Sequence, residues 1–259
     1  MKKAKFPVEA IALGIILFSK TMQEAMIVGI LVIFSAIFAE EIKRILKHRV
    51  PEWSETISVL VLTGVVCASI LQLAYAFLGW ERSLKLWGIH LILGLLCARH
   101  VLWKGREDDD LLRQSAAVWG LWILCGLIRE FLSYGRIFGK EMVQWDIQSI
   151  QFQNVMFGFL ASGMILAFAN SLFKTKQYKK NGYCLDAMYV VIPAICYIQP
   201  MKFSAFREWI GIGLAIFLVL FFFLSIQKKL IFSRPAPAWR GLPVELLSMG
   251  FLYMILNVY

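Results

Sequence analysis

The run Ala116–Cys125, AAVWGLWILC, continues directly into Gly126–Gly139, GLIREFLSYGRIFG, and this passage decides the fold. Ten apolar residues reach an adjacent Arg129–Glu130 pair, and a glycine-spaced loop follows. A soluble core helix would alternate a polar face with the apolar one. This stretch is apolar on every side, so it reads as a helix built for lipid that meets charge only near its end.

The rest of the chain repeats that pattern. Of 259 residues 59% are hydrophobic, with a mean hydropathy of +0.69, whereas soluble domains sit nearer 45–50% apolar. Solid apolar runs approach the ~20 residues that carry a helix across a bilayer core, and the short alternating segments of a membrane barrel are missing. The expected fold class is all-α, a polytopic membrane protein of about nine transmembrane or half-transmembrane helices. The segments fall near residues 8–19, 23–42, 56–79, 83–102, 115–134, 154–173, 186–201, 208–230 and 241–258. The first and seventh are short for full crossings, which points to half-helices or broken helices. The basic, apolar start MKKAKFPVEAIALGIILFS is similar to a signal peptide but lacks an Ala-x-Ala site, so it reads as a retained first span.

A net charge of +10 could signal nucleic acid, but the distribution argues for a membrane and for no nucleic-acid partner. With the N-terminus in the cytoplasm, more than two thirds of the 27 Lys and Arg fall on inner segments. Among them are Lys43, Arg44, Lys47 and Arg49, and further along Arg99, Lys104, Arg106 and Arg113. This is the positive-inside pattern. The run Glu107–Asp110 reads as a solvated inner loop, because four adjacent acids without a turn glycine do not make a calcium loop. Five cysteines, Cys67, Cys97, Cys125, Cys184 and Cys196, show no secreted disulfide spacing. Each is first of all a small buried hydrophobe. Walker, zinc and triad motifs are missing, so no complete catalytic site is expected in this chain.

GLIREFLSYGRIFG resembles the end of the fifth span in the E subunit of the Rnf electron-transport complex, the counterpart of the D subunit of the sodium-pumping NADH:quinone reductase (Nqr). Phe34-Ser35 with Lys43-Arg44 and Pro51 resembles the end of that family's second span and its basic loop. Gly94-Leu95-Leu96-Cys97-Ala98-Arg99 resembles its fourth span, and Gly158–Asn170, GFLASGMILAFAN, its sixth. Residues 1–174 therefore look like a six-span E-type domain. Residues 175–259 resemble the last three spans of the Rnf A (Nqr E) subunit. Ser233–Gly241, SRPAPAWRG, leads into LPVELLSMGFLYMIL as in the last of those spans, Ile210–Ala215 is similar to the one before it, and Tyr189–Tyr197 to the fourth.

The resemblance implies an Rnf/Nqr-type inverted-repeat bundle in a bacterial inner (plasma) membrane, multi-pass, with a cytoplasmic N-terminus. It also implies other membrane and peripheral subunits of an Rnf/Nqr-like complex as partners, and electron transfer coupled to Na+ or H+ movement. In the family, cysteines from the first and fourth spans of two subunits hold an intramembrane two-iron two-sulfur cluster. Carried over, Cys97 and Cys196 are the ligands this chain would offer to a cluster shared with a partner subunit. The set is incomplete, because Ile16 or a neighbour stands where the first-span cysteine belongs. Cys67 and Cys125 are extra. Arg129 and Glu130 are either a helix terminus with a snorkelling arginine or a lining of the ion or electron route. Glu24 and Lys20 read as interfacial, and His90 as a hydrogen-bonded packing residue. The alternative function is a cluster-free relative acting as a membrane scaffold or small-solute transporter.

Overall fold

A computed structural model describes residues 5–47, 49–80, 83–103, 108–142, 148–173, 185–198, 213, 216–217, 221, 237–239 and 241–258. Eight α-helices account for most of them: α1 Val8–Phe18, α2 Met22–Leu46, α3 Glu52–Phe77, α4 Leu84–Trp103, α5 Asp108–Tyr134, α6 Val155–Leu172, α7 Leu185–Ile198 and α8 Leu242–Val258. Five of them are long and apolar enough to cross a membrane, namely α2, α3, α4, α6 and the Leu111–Tyr134 part of α5. The chain is a membrane-embedded helical protein. The sequence-expected segment 208–230 lies outside the described residues apart from isolated positions.

The helix ends follow from local chemistry. Thr21 caps α2, its Oγ1 accepting the Glu24 amide at 3.2 Å, the Ser/Thr-x-x-Glu spacing of a capping box. Pro51 precedes α3, where its fixed φ suits a helix start. The helix α5 begins at Asp108, so part of the acidic run expected as loop is its first turn. Acidic residues are favourable there because the helix N-terminus carries partial positive charge.

The short first segment is the centre of the molecule. All eleven residues of α1 are buried, Glu9 included. At 1.5 Å per residue α1 is about 16 Å long, roughly half a hydrocarbon core. It packs against α2, α4, α6 and α7. The other short helix, α7, has 14 residues with Pro193 inside. It lies against α1, α4 and α8. One hydrophobic core runs through α1 to α8. The helix α3 lies at the rim, presenting Ile57, Val61, Val65, Leu73 and Phe77 outward. In a membrane protein such a face is the lipid contact.

Two ends of the bundle can be told apart by the polar groups gathered there. One holds the C-terminus of α1, the N-termini of α2 and α6, and Arg129. The other holds the N-termini of α1 and α7 and the C-terminus of α4, around Arg99. The loop after α5 is a two-stranded hairpin, β1 Arg136–Ile137 against β2 Lys140–Glu141. Its turn residues Phe138 and Gly139 have φ of 53° and 72°, the doubly positive pattern of a type I′ turn. This explains the glycine that follows Phe138.

Candidate functional site

Arg129 is completely buried. Its Nε donates to the Phe152 carbonyl at 3.1 Å, and Nη1 to Ser19 Oγ at 2.6 Å. Its Nη2 is shared between the carbonyls of Gln153 (3.1 Å) and Asn154 (3.2 Å). The guanidinium thus collects the carbonyls of the 3₁₀ turn that leads into α6, together with the residue that ends α1. Phe157 flanks it at 5.8 Å. This differs from the snorkelling arginine that is one of the two sequence readings. The side chain does not snorkel to water; it is spent on backbone.

Glu130 points the other way. Oε2 accepts the Met22 amide at 2.9 Å, and Oε1 the Gly139 amide at 2.9 Å. A carboxylate at the first amide of α2 meets the positive end of the helix dipole. The pair is a double clamp. Arg129 ties α5 to α1 and α6, and Glu130 ties α5 to α2 and to the hairpin. Trp122 and Trp119 extend the seam, donating to the carbonyls of Phe18 (3.3 Å) and Met26 (3.2 Å).

Beside the clamp lies a second polar group. Tyr75 donates its hydroxyl to Glu24 Oε1 at 3.0 Å. Its ring meets Trp80 edge-on at 4.9 Å and His90 at 5.1 Å. His90 also contacts Phe18, at 5.6 Å. Glu24 is within electrostatic range of Lys20 and Arg129. His90 is fully buried, and no group among the described residues hydrogen-bonds its ring, against the sequence reading of it as a hydrogen-bonded residue.

At the opposite end Arg99 joins three helices. It approaches Glu9 of α1 at 3.5 Å and Asp186 of α7 at 3.0 Å. Its guanidinium lies over the rings of Tyr189 (3.9 Å) and Trp103 (4.7 Å). Glu9 and Asp186 are each the second residue of a short helix. That shared position was visible in the sequence, but nothing there linked it to Arg99. Lys43 donates to the terminal carbonyls of α4, Val101 at 2.7 Å and Leu102 at 3.4 Å. Arg44 pairs with Glu41 at 3.0 Å on the exposed face of α2.

The cysteines divide by depth. Cys97 is fully buried and donates to the Val32 carbonyl at 3.7 Å. Cys67 lies next to it on α3, close to Gly94. Cys125 is buried on α5, within range of Arg129. Cys196 is exposed on α7. Cys184 lies outside the described residues. In α1, Ile16 packs its backbone against Gly158 of α6, so the expected ligand position of that helix holds an aliphatic residue. A two-iron cluster takes four cysteine thiolates. Among the described residues no group of three or more His, Cys, Asp or Glu is placed to hold a metal. The residues present therefore do not by themselves fit a two-iron two-sulfur centre.

The class that fold and site define is a helical membrane protein with charged groups buried at both ends of a short central helix. Comparison with known proteins finds no matching family model, no matching curated protein and no matching solved structure.

Proposed function

We propose that this chain is a membrane subunit of an Rnf/Nqr-like ion-translocating oxidoreductase complex, on a frame of about nine helices, with its N-terminus cytoplasmic in a bacterial inner membrane. The observation that carries the reading is the meeting of α1, α4 and α7. These are the three helices that the resemblance names as ligand-bearing spans. Two of them are short, and Arg99 binds all three together. Short or broken helices meeting at a repeat interface are a recurrent site design in ion-coupled membrane proteins.

The part played by this chain rests on its own buried charges. The donor set is short of a cluster, so one could form here only with ligands from a partner subunit. Arg99, Glu9 and Asp186 at one end and Arg129, Glu130 and Glu24 at the other hold the central helix between two charged layers. Ionisable groups buried within a membrane protein point by default to a functional site, ion paths and proton relays among them.

A second reading is a cluster-free relative working as a membrane scaffold or small-solute transporter outside any redox complex. The aliphatic Ile16 position and the exposed Cys196 favour it. Anaerobic affinity purification of the tagged chain in mild detergent separates the two. The first reading expects flavin- and iron-bearing subunits to copurify in fixed stoichiometry. Isolation of the chain without them, from membranes where such subunits are expressed, would support the second.

A further inference from the structure

His90 stands two turns into α4 with no exposed surface, and both ring nitrogens are without a hydrogen-bond partner among the described residues. A neutral imidazole has one N–H donor and one acceptor nitrogen. Leaving each unmade in an apolar interior costs about 1–3 kcal/mol, and buried polar groups of this kind are ordinarily met by ordered water. Thr63 and Ser115 also have hydroxyls without a partner among the described residues, but a hydroxyl on a short side chain can turn toward another acceptor, whereas the His90 ring packs against the rings of Phe18 and Tyr75.

The surroundings supply polar partners for water. Tyr75 gives its proton to Glu24, which leaves the phenol oxygen free to accept. Glu24, in the first turn of α2, keeps some exposed surface as a residue while its carboxyl group is largely enclosed, with Lys20 in electrostatic range. Phe18 and Trp80 close the apolar sides. The titratable and charged groups around this line are Glu24 from α2, Tyr75 from α3 and Tyr197 from α7, with Lys20 and Arg129 beyond Glu24.

We propose that His90, Tyr75 and Glu24 form a binding site for internal water, a hydrogen-bonded file running from the Glu24 carboxylate to the buried imidazole. The file makes His90 proton-exchangeable inside the bundle. The ring N–H proton passes to the adjacent water as that water returns one of its own to the same nitrogen, so the ring exchanges protons with no net change of charge. This holds whether or not the chain belongs to a redox complex.

The test is nuclear magnetic resonance of the full chain in lipid nanodiscs with ¹⁵N-labelled histidine. The chain has 3 histidines, so His90→Gln identifies the relevant ring. If that variant does not fold, His48→Gln and His100→Gln identify it by elimination. The expected result is hydrogen-bonded ring nitrogens, an exchange cross-peak to water, and exchange that slows several-fold in Tyr75→Phe. Ring nitrogens with non-hydrogen-bonded shifts and no water cross-peak would overturn the proposal, as would exchange unaffected by Tyr75→Phe.

Discussion

Arg129 of α5 donates to Ser19 Oγ at 2.6 Å, across 110 residues of sequence. Ser19 also bonds back to the Ile15 carbonyl in the last turn of α1. The central helix is therefore terminated by a hydroxyl that an arginine from another helix holds in place. The remaining guanidinium donors are spread over three carbonyls.

This arrangement predicts a steep response at Arg129. Arg129→Met removes the donor of the Ser19 hydroxyl and of the Phe152 and Gln153 carbonyls, while the Asn154 carbonyl keeps the Phe157 amide at 3.1 Å, and each buried unpaired group costs about 1–3 kcal/mol. The loss of stability should reach about 3 kcal/mol or more, even with partial relaxation. Arg129→Lys should recover part of it, because an ammonium is a point donor and cannot span the four acceptors as the planar fork does. Thermal unfolding in detergent should rank wild type above Lys and Lys above Met.

Glu130 gives a milder prediction. Glu130→Gln keeps one carbonyl acceptor but turns the other oxygen into a donor, so either the Met22 or the Gly139 amide loses its partner. The expected cost is about 1–2 kcal/mol. Gly139→Ala should cost about 1 kcal/mol for a different reason, since its φ of 72° disfavours any Cβ. Limited proteolysis should detect a loosened hairpin in both variants.

Close approach of α3 and α4 rests on Gly94. A Cβ there would sit 2.6 Å from that of Cys67 and 2.8 Å from the Thr63 carbonyl. Gly94→Ala should destabilise by about 1–3 kcal/mol, the usual cost of overpacking. Gly88, on the same helix, meets nothing within 4 Å. Gly88→Ala should be neutral or stabilising by up to about 1 kcal/mol, through helix propensity. Opposite signs at two glycines of one helix, measured by thermal shift, would verify the packing.

At the other end, double-mutant cycles between Arg99 and its two acids should give unequal couplings. Arg99–Glu9 is largely enclosed, with side-chain exposures of 17% and 10%, and should couple by about 1–2 kcal/mol. Asp186 is 40% exposed, and solvent screening should hold its coupling below about 1 kcal/mol. Unfolding of Arg99→Gln, Glu9→Gln, Asp186→Asn and the pairs would measure both.

Helix positions were legible because lipid-facing runs leave few alternatives. The expected 23–42, 83–102 and 154–173 became Met22–Leu46, Leu84–Trp103 and Val155–Leu172. The shortness of α1 and α7 could also be read directly. Their burial could not, because an eleven-residue apolar run looks the same facing lipid or protein. The Arg129–Glu130 pair was visible as an anomaly, but its partners are carbonyls and amides that carry no side-chain signature. The Tyr75–Glu24 bond joins residues 51 apart, and the Arg99 triad joins residues 87 or more apart, so both depend on how the helices are arranged in space.

The role proposed for this chain is ion translocation in an electron-transfer complex, with no cluster held by its own residues alone. The most direct test is electron-donor-driven sodium or proton uptake into inverted membrane vesicles from cells lacking the chain, complemented with wild type or Cys97→Ser. Uptake should be lost without the chain and restored by both forms, provided each reaches the same level in the membrane. Uptake unchanged by removal of the chain would contradict that role.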